Sequence, residues 1–72
     1  MKKLKAIIEK GKDGFYSIYT PEIARLFGAG RTEDEAKRDF SEAIEMALEH
    51  VEETGDWGDY SPLKGNYSIE YT

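Results

Sequence analysis

The chain has few of the residues that usually build disulfide frameworks, metal sites or membrane spans. Its 72 residues include no cysteine, two prolines and a single histidine. The lack of cysteine excludes disulfide bonds and thiolate metal sites. No apolar run approaches the roughly 18 residues that a membrane span needs, and no apolar segment follows the N-terminal lysines as it would in a signal peptide. We therefore expect one small domain that lies in the cytoplasm.

Charge is unevenly distributed along the chain, whose formal net charge is −5. Residues 32–54 contain nine acids and two bases, a net of −7, whereas residues 1–20 contain five bases and two acids, a net of +3. An acidic domain is not expected to bind nucleic acid directly, because phosphate neutralisation needs clustered Lys and Arg. The acids suit a basic protein partner. A solvated surface is the alternative, and it is the commoner meaning of a charge run.

Residues 32–54 predict one long amphipathic helix. An apolar stripe at helical spacing indicates that the helix packs on a sheet, and it consists of Ala36, Phe40, Ala43, Ile44, Ala47, Leu48 and Val51. The opposite stripe, which we call the acidic face, consists of Glu42, Glu45, Glu49, Glu52 and Glu53. Thr32 and Glu35 have the spacing of a capping box, and Gly55 is placed to end the helix.

Four other segments predict β-strands. Residues 3–9 and 66–72 alternate between apolar and polar side chains. Residues 15–20 are rich in aromatic and β-branched side chains. Residues 25–30 form a short strand or extended segment, and its glycines suggest close backbone approach or a bulge. A hairpin turn is expected at residues 10–14 and a connection at residues 21–24. The resulting order, β-β-β-α-β, predicts an α+β fold with the helix on one face of a three- to four-stranded, largely antiparallel sheet.

The sheet face away from the helix is expected to carry apolar side chains. Ile7 breaks the alternation of the first strand and should lie there. The second strand leaves two alternatives open, either Tyr16 with Ile18 or Phe15 with Tyr19. An exposed face of this kind favours binding of a partner, and the unpaired edge strands offer a second place for one.

No set of side chains indicates catalysis or cofactor binding. His50 stands alone, so it is expected to be structural or exposed. The glycines of residues 28–30 precede a helix but lack the third glycine and the lysine of a phosphate-binding loop. In the loop of residues 56–65, Trp57 and Tyr60 are expected to cover the edge of the core rather than bind a ligand. We therefore expect no enzyme, no cofactor and no metal.

The order of these motifs resembles HicB-type antitoxins. Those proteins open with an apolar strand, a D-G turn and an aromatic strand, as residues 4–16 do here. A proline, an acid and an aliphatic residue follow, matched by residues 21–23. A glycine and a T-x-x-E-A helix start come next, matched by residues 30–36, and E-A-I recurs at residues 42–44. The loop after Pro21 departs from the L-P-G-C pattern of many members. The resemblance covers about residues 4–54.

The resemblance implies a degraded RNase H-like fold and a partner, a small basic HicA-like toxin that cleaves mRNA. It also implies homo-oligomers, and a DNA-binding segment for transcriptional autoregulation beyond the C-terminus. Residues 1–72 are accordingly expected to form a single N-terminal domain of a longer chain. The alternative is a stand-alone oligomerisation or regulatory domain without a toxin.

Partner contacts are predicted on the acidic face and on the second strand. These residues are Glu42, Glu45, Glu49, Glu52, Tyr16 and Ile18.

Overall fold

A computed structural model describes residues 2–72 and confirms the α+β class and the β-β-β-α-β order. The elements are β1 (Lys2–Lys10), β2 (Tyr16–Thr20), β3 (Ile23–Gly30), α1 (Glu33–Thr54), a 3₁₀ helix (Gly58–Leu63) and β4 (Tyr67–Tyr71). The sheet has the order β3-β2-β1-β4. The β1–β2 and β2–β3 pairs are antiparallel, whereas β4 lies parallel to β1. None of the helices between residues 2 and 72 combines the length and hydropathy that crossing a bilayer requires.

The turn between β1 and β2 lies where the sequence predicts it. The N–H of Gly11 donates to the carbonyl of Phe15 at 2.8 Å, and the N–H of Gly14 donates to the carbonyl of Gly11 at 3.1 Å. The carboxylate of Asp13 accepts from the N–H of Phe15 at 3.0 Å. An Asp that bonds the backbone two residues ahead is typical of tight turns. These bonds set the register in which β2 returns along β1.

The connection between β2 and β3 is shorter than the predicted residues 21–24. Ile23 already belongs to β3, pairs with Thr20 and is 1% exposed. The register shifts between Tyr19 and Thr20, so the strand pair bends at this point. The hydroxyl of Thr20 donates to the Glu22 carboxylate at 2.6 Å, which gives this buried polar group a partner. β3 therefore begins two residues earlier than predicted, at Ile23, whose side chain is held in the core.

Both ends of α1 are capped by the residues that the sequence indicates. The hydroxyl of Thr32 accepts from the N–H of Glu35 at 3.1 Å and so satisfies one of the free donors of the first turn. Gly55 has φ 71°, which glycine adopts without strain, and its N–H donates to the carbonyl of Val51 at 2.7 Å. The helix bounds are therefore determined locally.

The core lies between α1 and the sheet. The apolar stripe is buried as predicted at Ala36, Phe40, Ile44, Ala47 and Val51, while Ala43 and Leu48 are half-buried. The helix packs chiefly on β3 and less on β2.

Gly28 and Gly30 permit the close contact between α1 and β3. A Cβ on Gly28 would lie 2.5 Å from the backbone nitrogen of Phe40, and one on Gly30 would lie 2.6 Å from that of Ala36. The glycines therefore mark a close backbone approach, which is one of the two meanings that the sequence left open. Strand and helix backbones touch here with no side chain between them.

The loop of residues 56–65 is more regular than expected, because it contains the 3₁₀ helix. Leu63, near its end, is 2% exposed and enters the core. Trp57 and Tyr60 pack against that core as predicted. The segment thus adds to the core beside β3 and α1.

Candidate protein-interaction surfaces

The acidic face of α1 is exposed along its length, as predicted. Its members, Glu42, Glu45, Glu49, Glu52 and Glu53, belong to no ion pair among residues 2–72. The helix contains one such pair, between Lys37 and Glu33 at 3.7 Å on its first turns. The last turn carries no basic residue. The acidic face therefore presents five exposed glutamates that have no cationic partner among residues 2–72.

The second surface is the sheet face opposite α1, which we call the open face. Tyr19 of β2 lies directly between Ile7 of β1 and Phe27 of β3 in the strand register. Phe27 is 65% exposed and Tyr19 is 38% exposed. Phe15, which by strand alternation lies on the same face, is 43% exposed. A row of apolar side chains that crosses three strands is an exposed patch of the kind that partners cover.

Charged groups surround this row. The pKa of the Tyr19 phenol is raised above its usual value, chiefly by a hydrogen bond with the carboxylate of Glu9. Desolvation of the phenol and the negative charge of Glu9 act in the same direction. The guanidinium of Arg31 lies 6.0 Å from the centre of the Phe15 ring. Lys3 and Glu70 pair at 3.9 Å on the neighbouring strands. The open face thus combines an apolar centre with a polar border, as protein interfaces do.

The two predicted contact residues of β2 lie on the core side of the sheet and not on the open face, and partner contact at the half-buried Tyr16 stays a prediction. Ile18 is 0% exposed and lies in the core beneath α1. Tyr16 shares its side of the strand, is partly buried against the core and has the ammonium of Lys10 5.7 Å from its ring centre. Of the two alternatives that the sequence left open, the structure selects Phe15 and Tyr19. A partner therefore cannot reach Ile18 while the domain is folded.

Phe27 is an exposed aromatic of the open face that was not among the contact residues predicted from the sequence. A signal for it does exist in the flanking glycines. Gly28 faces α1 because only a residue without Cβ fits there. Side chains alternate along a strand, so Phe27 must point to the other face.

A shallow groove lies between α1 and the 3₁₀ helix. Arg25, Met46, His50 and Tyr60 contribute to its walls, and Met46 is 69% exposed. The guanidinium of Arg25 is paired with Asp59 at 3.6 Å. His50 is exposed, one of the two alternatives given for it. No group of three or more His, Asp or Glu side chains within residues 2–72 is arranged to hold a metal ion.

The fold and these two faces define a small α+β domain whose surfaces suit protein contacts. The chain is similar to the UPF0150 protein ssr1258 of Synechocystis sp., with 35% identity over 46 residues that cover 64% of this chain and 67% of that protein. The chain belongs to the UPF0150 family, which is related to HicB-like antitoxins. No protein-family profile matches the chain, and no solved structure matches it significantly.

Proposed function

We propose that the domain is an antitoxin-type interaction module that binds and neutralises a small, basic, HicA-like toxin in the cytoplasm. Membership of a family related to HicB-like antitoxins supports this function. The observation that carries it is the acidic face of α1, where five exposed glutamates have no cationic partner among residues 2–72.

The chemistry of such a partner explains why an acidic surface is useful. An enzyme that cleaves RNA presents clustered Lys and Arg to the phosphates of its substrate. The acidic face offers carboxylates to the same cations and therefore competes with RNA for them. Complementary charge also accelerates the encounter of the two proteins. Neutralisation then follows from occupying the surface that RNA needs.

The first experiment is co-purification of the domain with the protein encoded beside it, followed by an RNA cleavage assay. A stable complex with no cleavage supports the antitoxin function. A separate neighbour that remains active in the presence of excess domain contradicts it.

Charge reversal tests whether the acidic face makes the contact. Glu45→Lys combined with Glu49→Lys is expected to weaken toxin binding about tenfold or more at low salt without unfolding the domain, because exposed charge contacts are strongest there. A comparison variant, Glu9→Lys with Glu70→Lys, changes net charge equally on the open face, and it should bind the toxin as the wild type does if the acidic face makes the contact. Unchanged affinity of the first variant at low salt would contradict this role for the acidic face.

One observation favours a second candidate, a domain of the same fold that serves oligomerisation without a toxin. The exposed row of Ile7, Tyr19 and Phe27 is apolar and needs no charged partner. In this case the domain self-associates but neither binds nor silences the neighbouring protein.

A further inference from the structure

Strand β4 is an open edge of the sheet. The N–H of Thr72, just after β4, donates to the carbonyl of Ala6 at 2.9 Å, and its carbonyl accepts from the N–H of Ile8 at 3.0 Å. Both backbone groups of Thr72 therefore face β1. Since successive residues of a strand alternate in this respect, the N–H and C=O groups of Tyr71, Ile69 and Tyr67 point away from β1. No other strand within residues 2–72 pairs with that side.

The opposite edge of the sheet, β3, is protected. The N–H of Ala29 donates to the carboxylate of Asp39 on α1 at 2.9 Å, so one edge donor already has a partner. The pairing of β3 with β2 is also irregular near its start, where Ile23 faces Thr20. Proteins use such devices to prevent strand addition. The two edges of the sheet therefore differ in their availability.

The side chains of β4 favour an apolar contact. Tyr67, Ile69 and Tyr71 share the side of the sheet that faces the core but are only half-buried. The reason is that α1 lies over β3 and β2 rather than over β4. Tyr71 nevertheless contacts α1, because its ring meets that of Phe40 edge-on at 6.5 Å.

We propose that β4 pairs with β4 of a second copy of this chain, antiparallel about a two-fold axis at Ile69. The strand reads Tyr-Ser-Ile-Glu-Tyr, a pattern that is symmetric about its centre in apolar character. In this register Ile69 faces Ile69 of the second copy, and Tyr67 faces Tyr71 of the second copy. All of these residues have outward backbone groups, so each pair exchanges its N–H···O=C bonds. The product is one continuous eight-stranded sheet.

Charge repulsion and loss of strand overlap disfavour the two neighbouring symmetric registers. With the axis at Ile69, Glu70 faces Ser68 of the second copy, which accepts or donates a hydrogen bond and carries no charge. With the axis at Glu70, two glutamates face each other, which is destabilising. With the axis at Ser68, Tyr71 extends beyond β4 of the second copy and loses its partner. A surface that is complementary to itself indicates a second copy as its occupant.

Self-association of the purified chain without any partner tests the proposal, and the result does not depend on toxin binding. We expect a dimer whose population rises with concentration in sedimentation velocity or light scattering. Ile69→Lys and Ile69→Glu should each raise the dimer dissociation constant at least about tenfold, because like charges then face each other. A mixture of the two variants should dimerise again, because the introduced lysine and glutamate are opposite on the axis.

Three results would overturn the proposal. These are a wild-type chain that stays monomeric at the highest concentration, charged variants that remain dimeric, and a mixture that fails to reassociate. Circular dichroism establishes whether each variant is folded.

A cysteine variant decides the question if the charged variants do not fold. Because the chain has no native cysteine, Ile69→Cys introduces a single thiol. The Cα atoms of a hydrogen-bonded antiparallel pair are about 5.5 Å apart, a distance that a disulfide spans. Oxidation should therefore yield a covalent dimer of Ile69→Cys far faster than of Ala29→Cys, the matched variant on the protected edge. Equal rates for the two variants would contradict pairing through β4.

Discussion

Replacing Gly28 with alanine tests how closely α1 lies on β3. The added Cβ would lie 2.5 Å from the nitrogen of Phe40, 2.7 Å from its Cα and 2.8 Å from the carbonyl oxygen of Ala36. All three are backbone atoms of the helix and cannot rotate away. Since non-bonded atoms prefer separations of about 3.5 Å, the helix must move away from the sheet by about 1 Å.

That displacement lowers the free energy of unfolding, because Phe40 and Ala36 are buried in the core and lose contacts when the helix moves. Overpacking costs about 1–3 kcal/mol, and contact with backbone places Gly28→Ala at the upper end. Alanine regains about 0.5–1 kcal/mol over glycine in a strand, so we expect a net loss of about 2 kcal/mol. A domain of 72 residues has a total stability of about 4–11 kcal/mol. The corresponding fall in Tm is about 8–16 °C.

Urea unfolding followed by circular dichroism measures this loss, with the slope of the transition unchanged if the unfolded state is unaffected. Gly11→Ala is the matched control. The nearest atom to its Cβ is the Oδ1 of Asp13 at 2.8 Å. This side chain can turn aside, but it then loses its exposed hydrogen bond from the N–H of Phe15, which is worth about 1 kcal/mol. We expect Gly11→Ala to lose at most about 1 kcal/mol. Equal stability of the two variants would refute the inferred contact between β3 and α1.

Two further predictions concern the core and the open face. Phe40 is 1% exposed, so Phe40→Ala should lower the free energy of unfolding by about 3–5 kcal/mol. Phe40→Leu, which keeps most of the buried volume, should lower it far less. Equal losses for the two variants in urea unfolding would argue against tight packing around Phe40. The raised pKa of Tyr19 stabilises the folded state below the pKa of an unfolded tyrosine, and this contribution is lost as pH rises through the folded pKa. Glu9→Ala should therefore lower the pKa of Tyr19 in an ultraviolet titration of tyrosinate, and an unchanged titration would contradict the Glu9 contact.

The sequence predicted the acidic face of α1 correctly, but it did not predict which side chains of β2 lie on the open face. The acidic face could be predicted because its residues lie on one helix, where a period of 3.6 residues determines which side chains share a side. The aromatic residues of β2 could not be assigned in the same way. Both alternations, Tyr16 with Ile18 and Phe15 with Tyr19, are apolar, so the local pattern does not say which set faces the core. Contact with α1 decides it, and Ile18 is buried.

The availability of an edge for pairing is likewise a property of the assembled sheet. Nothing in residues 67–71 alone indicates that β4 lies beside β1 and parallel to it. Nor does the sequence of β3 indicate that Asp39, ten residues after Ala29, blocks one of its donors. The difference between the two edges arises from strands and side chains that are distant in the chain.

By itself the sequence determined the order of the elements, the bounds of α1 and its two opposed faces. These features depend on periodicity, on the cap at Thr32 and on the stop at Gly55, all of which act within a few residues. Only the tertiary structure decided the strand order β3-β2-β1-β4, the helix position over β3 and the side of β2 that is buried. Those features depend on contacts between distant segments, where several arrangements satisfy the same local pattern and close packing selects one of them.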